Sequence, residues 1–146
     1  DLGGLMAGKD LNIETGGTAP IGFLTNQGVN LRLGSYFGLD ELKPVHSRNM
    51  SVAQMYVTRS IKNVDDSDGT IAFRLNGNSV GTNKTIGYCL DKKWKFNTKL
   101  HSGDNSSKYK PLFVVFPEDI NSSNLHKNIT QWIIQYNIQV LNVCGP

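Results

Sequence analysis

The residues Ser79-Val80-Gly81-Thr82 carry the sharpest chemical signal in the chain. They close a polar, glycine-containing stretch that follows an alternating apolar segment and leads into a helical one. A glycine loop that opens a helix aims several backbone N–H groups at one point, and the helix dipole adds positive potential there. Anion binding is the chemistry this suits, each contact contributing about 0.3–1 kcal/mol when exposed. Gly81 would let a phosphate approach the backbone. Thr82 would donate its hydroxyl to a phosphate oxygen while capping the helix. The same four residues also suit an ordinary strand-to-helix turn.

A second candidate stretch is Thr15-Gly16-Gly17-Thr18-Ala19-Pro20-Ile21-Gly22-Phe23. Its glycines and proline predict a shaped loop and no regular element. Gly16, Gly17, Thr18 and Gly22 are candidates to bring backbone against a ring or phosphate, with a tight structural turn as the competing reading. Arg59 has the planar fork to clamp a phosphate bidentately; an ion pair with Asp66 or Asp68 competes. Asn142 and Gly145, expected at the end of the last strand, complete the candidate set.

Other chemistries are poorly supported. Asp65, Asp66 and Asp68 offer the oxygen ligands Mg²⁺ prefers, but they read better as a helix-terminating turn with Asx-type bonds. His46, His101 and His126 have no partners at ligand spacing and read as surface residues. Cys89 and Cys144 lie in apolar stretches, which predicts buried free thiols, and with three scattered histidines they make no zinc pattern. Neither a catalytic residue nor a metal ligand is therefore assigned. Asn-x-Ser/Thr triplets at Asn49, Asn83, Asn105, Asn121 and Asn128 are expected by chance in an Asn-rich chain.

Three strands and four helices must position the candidate site. A helix over Asp1 to Lys9 is interrupted by glycines, which suggests something packs closely against it. Residues 24–50 read mostly as loop. Ser51 starts a helix to Asn63, with Val52, Met55, Tyr56 and Arg59 on one face. A strand over Thr70–Leu75 leads to a helix starting near Thr82. Residues 97–110 read as an exposed loop. The continuous apolar run 111–117 predicts a strand buried on both faces. A helix over 123–136 and a strand over 138–143 finish the chain. Strands alternating with helices imply right-handed crossovers and a parallel sheet. Ligands of such sheets sit at the C-terminal strand ends. The loop after Leu75, the segment from Pro117 and the tail after Val143 would gather there.

The totals agree with one globular domain over residues 1–146. Hydrophobic residues make up 38% and charged residues 18% of the 146, and a chain this long can bury roughly two thirds of its unfolded surface. The formal net charge of +3 is weak and its basic residues are scattered, so nucleic acid is not expected as a partner. A small anion is favoured. The absence of a run of ~20 apolar residues and of a signal peptide leads to the expectation of a cytoplasmic protein without membrane association.

The motifs together resemble the molybdenum-cofactor carrier family of the SLOG superfamily. These are Asp1-Leu2-Gly3-Gly4-Leu5, the Thr15–Phe23 stretch, Asn63-Val64-x-Asp66-Ser67-Asp68-Gly69-Thr70, Ser79-Val80-Gly81-Thr82-x-x-Thr85 and Leu141-Asn142-Val143-Cys144-Gly145-Pro146. The resemblance covers essentially the whole chain. It implies a Rossmann-like three-layer sandwich with a mostly parallel sheet, and binding of a nucleotide-like ligand. It also suggests a homo-oligomer, because relatives pair through helices. Two departures stand out. The family's opening strand and Ser-Gly-Gly-Gln-Thr-Gly loop have no counterpart before Asp1, so either the sequence is incomplete or another chain supplies the strand. Basic residues of the family's second loop are replaced by Ile21 and Leu24.

Related phosphoribohydrolases carry a catalytic Glu in a Gly-Gly-x-Gly-Thr-x-x-Glu motif. The matching position is Thr85, which cannot serve as a carboxylate acid or base. The expectation is therefore a non-catalytic binder of a phosphate-bearing ligand: a nucleotide, a nucleotide-derived second messenger, or molybdenum cofactor. The alternative is a hydrolase cleaving a glycosidic bond of a nucleotide or NAD-like substrate, with Asp1 and Glu14 as its nearest carboxylates. A module with a vestigial pocket is the third reading.

Overall fold

A computed structural model of the chain describes residues 2–43, 50–75, 79–90, 100–107 and 109–145. The expectations for Asp1, His46, Asn49, Asn76-Gly77-Asn78 and Pro146 lie outside those residues. The chain divides into two compact units, residues 1–63 and 64–146.

The first unit begins with helix α1 (Leu2–Asp10). Strand β1 (Gly17–Ala19) follows and pairs in parallel with β4 (Leu39–Glu41). Between them lie a 3-10 turn (Ile21–Phe23), a two-stranded antiparallel hairpin of β2 (Leu24–Thr25) and β3 (Gly28–Val29), and the short helix α2 (Arg32–Ser35). Two expectations are corrected here. The Gly-rich stretch contains a strand, and residues 24–43 are largely ordered elements. Strand pairing overrode local glycine preference, because a parallel partner 22 residues away satisfies the backbone of β1. Ala19, Leu33 and Phe37 form the unit's core, with Leu5, Phe23 and Leu39 against it. Helix α3 (Val52–Asp65) runs two residues past its expected end. Its N-terminus is a reciprocal cap: the Ser51 backbone N–H donates to Gln54 Oε1 at 2.8 Å, and the Gln54 N–H donates to Ser51 Oγ at 3.3 Å.

The second unit is a four-stranded sheet in the order β6-β7-β5-β8. Here β5 (Gly69–Phe73), β7 (Leu112–Val115) and β8 (Leu141–Cys144) are parallel, and the edge strand β6 (Gly103–Asp104) is antiparallel to β7. Helix α4 (Val80–Leu90) follows β5, and α5 (Leu125–Gln135) precedes β8. The alternation of side chains explains the two-faced burial. Ala72, Leu112 and Val114 pack with Val64, Ile86 and Cys89 on one face. Ile71, Phe113 and Val115 pack with Trp132 and Ile138 on the other. This is a Rossmann-like α/β arrangement with helices on both sheet faces, as expected. The short β6 replaces part of the expected 97–110 loop, and β8 begins three residues later than expected.

Candidate functional site

Strand β5 delivers the chain to the C-terminal edge of the parallel strands, and α4 starts just beyond it. The helix begins at Val80, two residues before the expected start. This moves the capping role from Thr82 to Ser79. Ser79 Oγ accepts the Thr82 backbone N–H at 3.4 Å and lies 2.8 Å from Thr82 Oγ1. Thr82 itself is 3% exposed, so its hydroxyl is occupied in the cap. Gly81 is exposed, and a Cβ built on it would meet nothing within 4 Å. The first turn of α4 contains no acidic residue. The dipole of α4 therefore meets no acidic side chain in its own first turn, and the backbone at Gly81 is open among the described residues.

Arg74 is the residue missed by reading the sequence. Its backbone N–H donates to Val115 O at 2.8 Å, extending the ladder one step past β5. Its Nε donates to Asn83 Oδ1 at 3.0 Å, and its guanidinium lies 5.6 Å from the Phe116 ring centroid. Asn83 is fully buried within α4, so Arg74 is tied to the helix whose first turn is open. The burial also closes the glycosylation triplet at Asn83. A signal for Arg74 was legible: a cation ends the buried β5 segment at the edge where parallel sheets bind ligands.

Of the other candidates in this unit, Gly145 follows β8, and a Cβ on it would sit 3.3 Å from Phe73 Cβ, at the end of β5. Asn142 is displaced from the expected site. It pairs with Thr70 near the start of both strands and donates through Nδ2 to Thr70 Oγ1 at 3.1 Å. The Asp cluster resolves into separate structural roles. Asp68 accepts the backbone N–H groups of Gln139 and Val140 at 2.9 and 2.7 Å, a long-range anchor in place of a local Asx turn. Asp65 accepts the hydroxyls of Tyr88 and Tyr109. Thr85 donates to Gly81 O at 3.1 Å, a common helix back-bond. Cys89 and Cys144 are free and buried as expected, and burial pushes the Cys89 thiol up to about 11, which makes it inert at neutral pH.

In the first unit, Gly17 adopts φ +123°, a region that disfavours side chains, and a Cβ built on it would lie 3.2 Å from Asn63 Oδ1. Asn63 Oδ1 accepts the Thr18 N–H at 2.7 Å, and Asn63 Nδ2 donates to Thr18 O at 3.1 Å. The Asn63 carboxamide thus serves as a strand-like partner on the side of β1 away from β4. Thr18 is buried, whereas Gly16 and Gly22 are exposed; Gly22 has φ +69° and open space around it. Arg59 lies half-buried in α3. Gly17 and Thr18 are accounted for by this pinning, and Gly16 and Gly22 remain accessible.

Among the described residues no group of three His, Cys, Asp or Glu side chains could hold a metal ion. No helix among them is long and apolar enough to cross a membrane.

Comparison with known proteins fits this geometry. The model of the circularly permuted YpsA SLOG family matches residues 1–146. No curated protein matches the chain. A crystal structure from Syntrophus aciditrophicus, of a protein described as a proposed molybdenum carrier, is similar with a TM-score of 0.70 and 25% identity, over 97% of this chain and 72% of that one.

Proposed function

The chain belongs to the circularly permuted YpsA SLOG family, and from that premise we propose that it binds a phosphate-bearing, nucleotide-like ligand without transforming it. The open first turn of α4 carries this reading: Gly81 faces free space, Ser79 caps the turn, and no acidic residue offsets its positive potential. Arg74 supplies a nearby cation held to Asn83 and Phe116. The guanidinium suits phosphate because its donors form a planar fork. A non-catalytic role is supported by α4 itself, whose eleven residues include no carboxylate and whose Thr85 hydroxyl is engaged by Gly81 O. The similar protein from Syntrophus aciditrophicus is described as a proposed molybdenum carrier, so molybdenum cofactor is a candidate cargo beside nucleotides and nucleotide-derived messengers. Carrier, sensor and sequestration roles all use this site in the same way. A cytoplasmic location and a homo-oligomeric state accompany the reading.

The test is native mass spectrometry of purified protein, followed by analysis of small molecules released on denaturation and by a thermal-shift screen of nucleotides and pterin phosphates. A ligand at a hundred times its Kd should stabilise the fold by about 2.7 kcal/mol and be recovered intact. Gly81→Val should keep the fold, since its Cβ meets open space, yet weaken binding at least ~tenfold by blocking backbone approach. Recovery of a cleaved product would overturn the non-catalytic reading, and wild-type binding by Gly81→Val would overturn the site.

A further inference from the structure

The first unit holds a second cleft, of about 130 Å³, whose charged and aromatic lining includes Lys9, Arg32 and Tyr36. Arg32 opens α2 and Tyr36 ends it, so the two share one helix face at i, i+4. The Arg32 guanidinium lies 5.1 Å from the Tyr36 ring centroid. Lys9, from the last turn of α1, brings its Nζ to 5.5 Å from the same ring. The electron-rich ring attracts both cations, and Lys9 and Arg32 bring two positive charges to the lining of one cleft. Asp10 also lines the cleft. The rest of the α1 side of the cleft is apolar: Leu2 is 45% exposed and Met6 is 53% exposed. Neither is buried by the unit's own core, which takes Leu5 instead.

We propose that this cleft is a binding site for a small phosphate monoester with an apolar or aromatic body. The phosphate would sit at Lys9 and Arg32, and the body would lie against Leu2, Met6 and the exposed part of Tyr36. A monoester's charge of about −1.5 to −2 suits a cleft whose two cations outnumber its one carboxylate, and the volume admits a single ring. No residue of the α4 turn lines this cleft, and the proposal does not rest on the reading given for that turn.

The experiment is an NMR titration of the full chain with phenyl phosphate, following the backbone amides of Lys9, Arg32, Tyr36 and Gly81, with inorganic phosphate as comparison. Saturable shifts should centre on the first three, and inorganic phosphate should bind more weakly because it lacks the apolar body. Arg32→Gln and Lys9→Gln should each weaken phenyl phosphate about tenfold through loss of a charge-assisted contact. Tyr36→Leu, which keeps the charges but removes the ring that positions them, should weaken it as well. Non-saturating shifts, unchanged affinity in all three variants, or shifts confined to Gly81 would overturn this site. The last of these outcomes would leave the α4 reading standing.

Discussion

Asn63 illustrates how a single side chain does the work of a strand neighbour. Thr18 is 4% exposed, so its N–H and C=O need partners on the side away from β4, and the Asn63 carboxamide supplies one of each. Asn63→Ala should destabilise the fold by about 1–3 kcal/mol, the cost of leaving buried polar groups unpaired, measured by urea denaturation. Asn63→Asp should be little better. It keeps the acceptor for the N–H but turns a carboxylate oxygen toward the Thr18 carbonyl. A near-neutral Asn63→Asp would show that the pinning contributes nothing. Gly17 belongs to the same device: its φ of +123° and its closeness to Asn63 leave little room for a side chain.

At the scale of elements, α4 depends on its first turn. Ser79 is the cap that satisfies the Thr82 N–H and fixes the Thr82 hydroxyl. Ser79→Ala should cost about 1 kcal/mol, seen as a shift in urea midpoint without a change in slope. Because the cap also orders the turn proposed to meet the ligand, the same substitution should weaken nucleotide-induced stabilisation in a thermal shift. The helix that follows the Gly-containing stretch after β5 was legible from residue types alone, and so was the apolar run that became β7. The two-residue error in the start of α4 arose because Ser and Thr are both good caps. Only the packing of Thr82 against the body of the unit decided between them.

For the molecule as a whole, pH should report on the long-range ties that close the sheet. Asp68 accepts two backbone N–H groups that lead into β8, and these bonds hold its carboxyl below the ordinary value of 3.8. A depressed folded pKa contributes stability that is fully present above the unfolded pKa and is lost as pH falls through the folded one. Asp68→Asn should therefore lower the melting temperature at neutral pH, and the gap from wild type should close as acid protonates Asp68 below about pH 4. A gap that stays constant from pH 7 to pH 3 would mean that the charge on Asp68 is irrelevant. The sequence by itself determined the alternation of strands and helices in residues 64–146, the doubly buried run at 112–115 and the buried thiols. Each of these follows from local periodicity or residue type, which neighbours along the chain can express. Only the tertiary structure decided that Gly17–Ala19 is a strand, that Asn142 sits at the start of β8, that Arg74 is tied to Asn83 and that Tyr36 lines a cleft. Those outcomes depend on partners 9 to 72 residues away, and no local pattern encodes which distant backbone or side chain will be there to satisfy them.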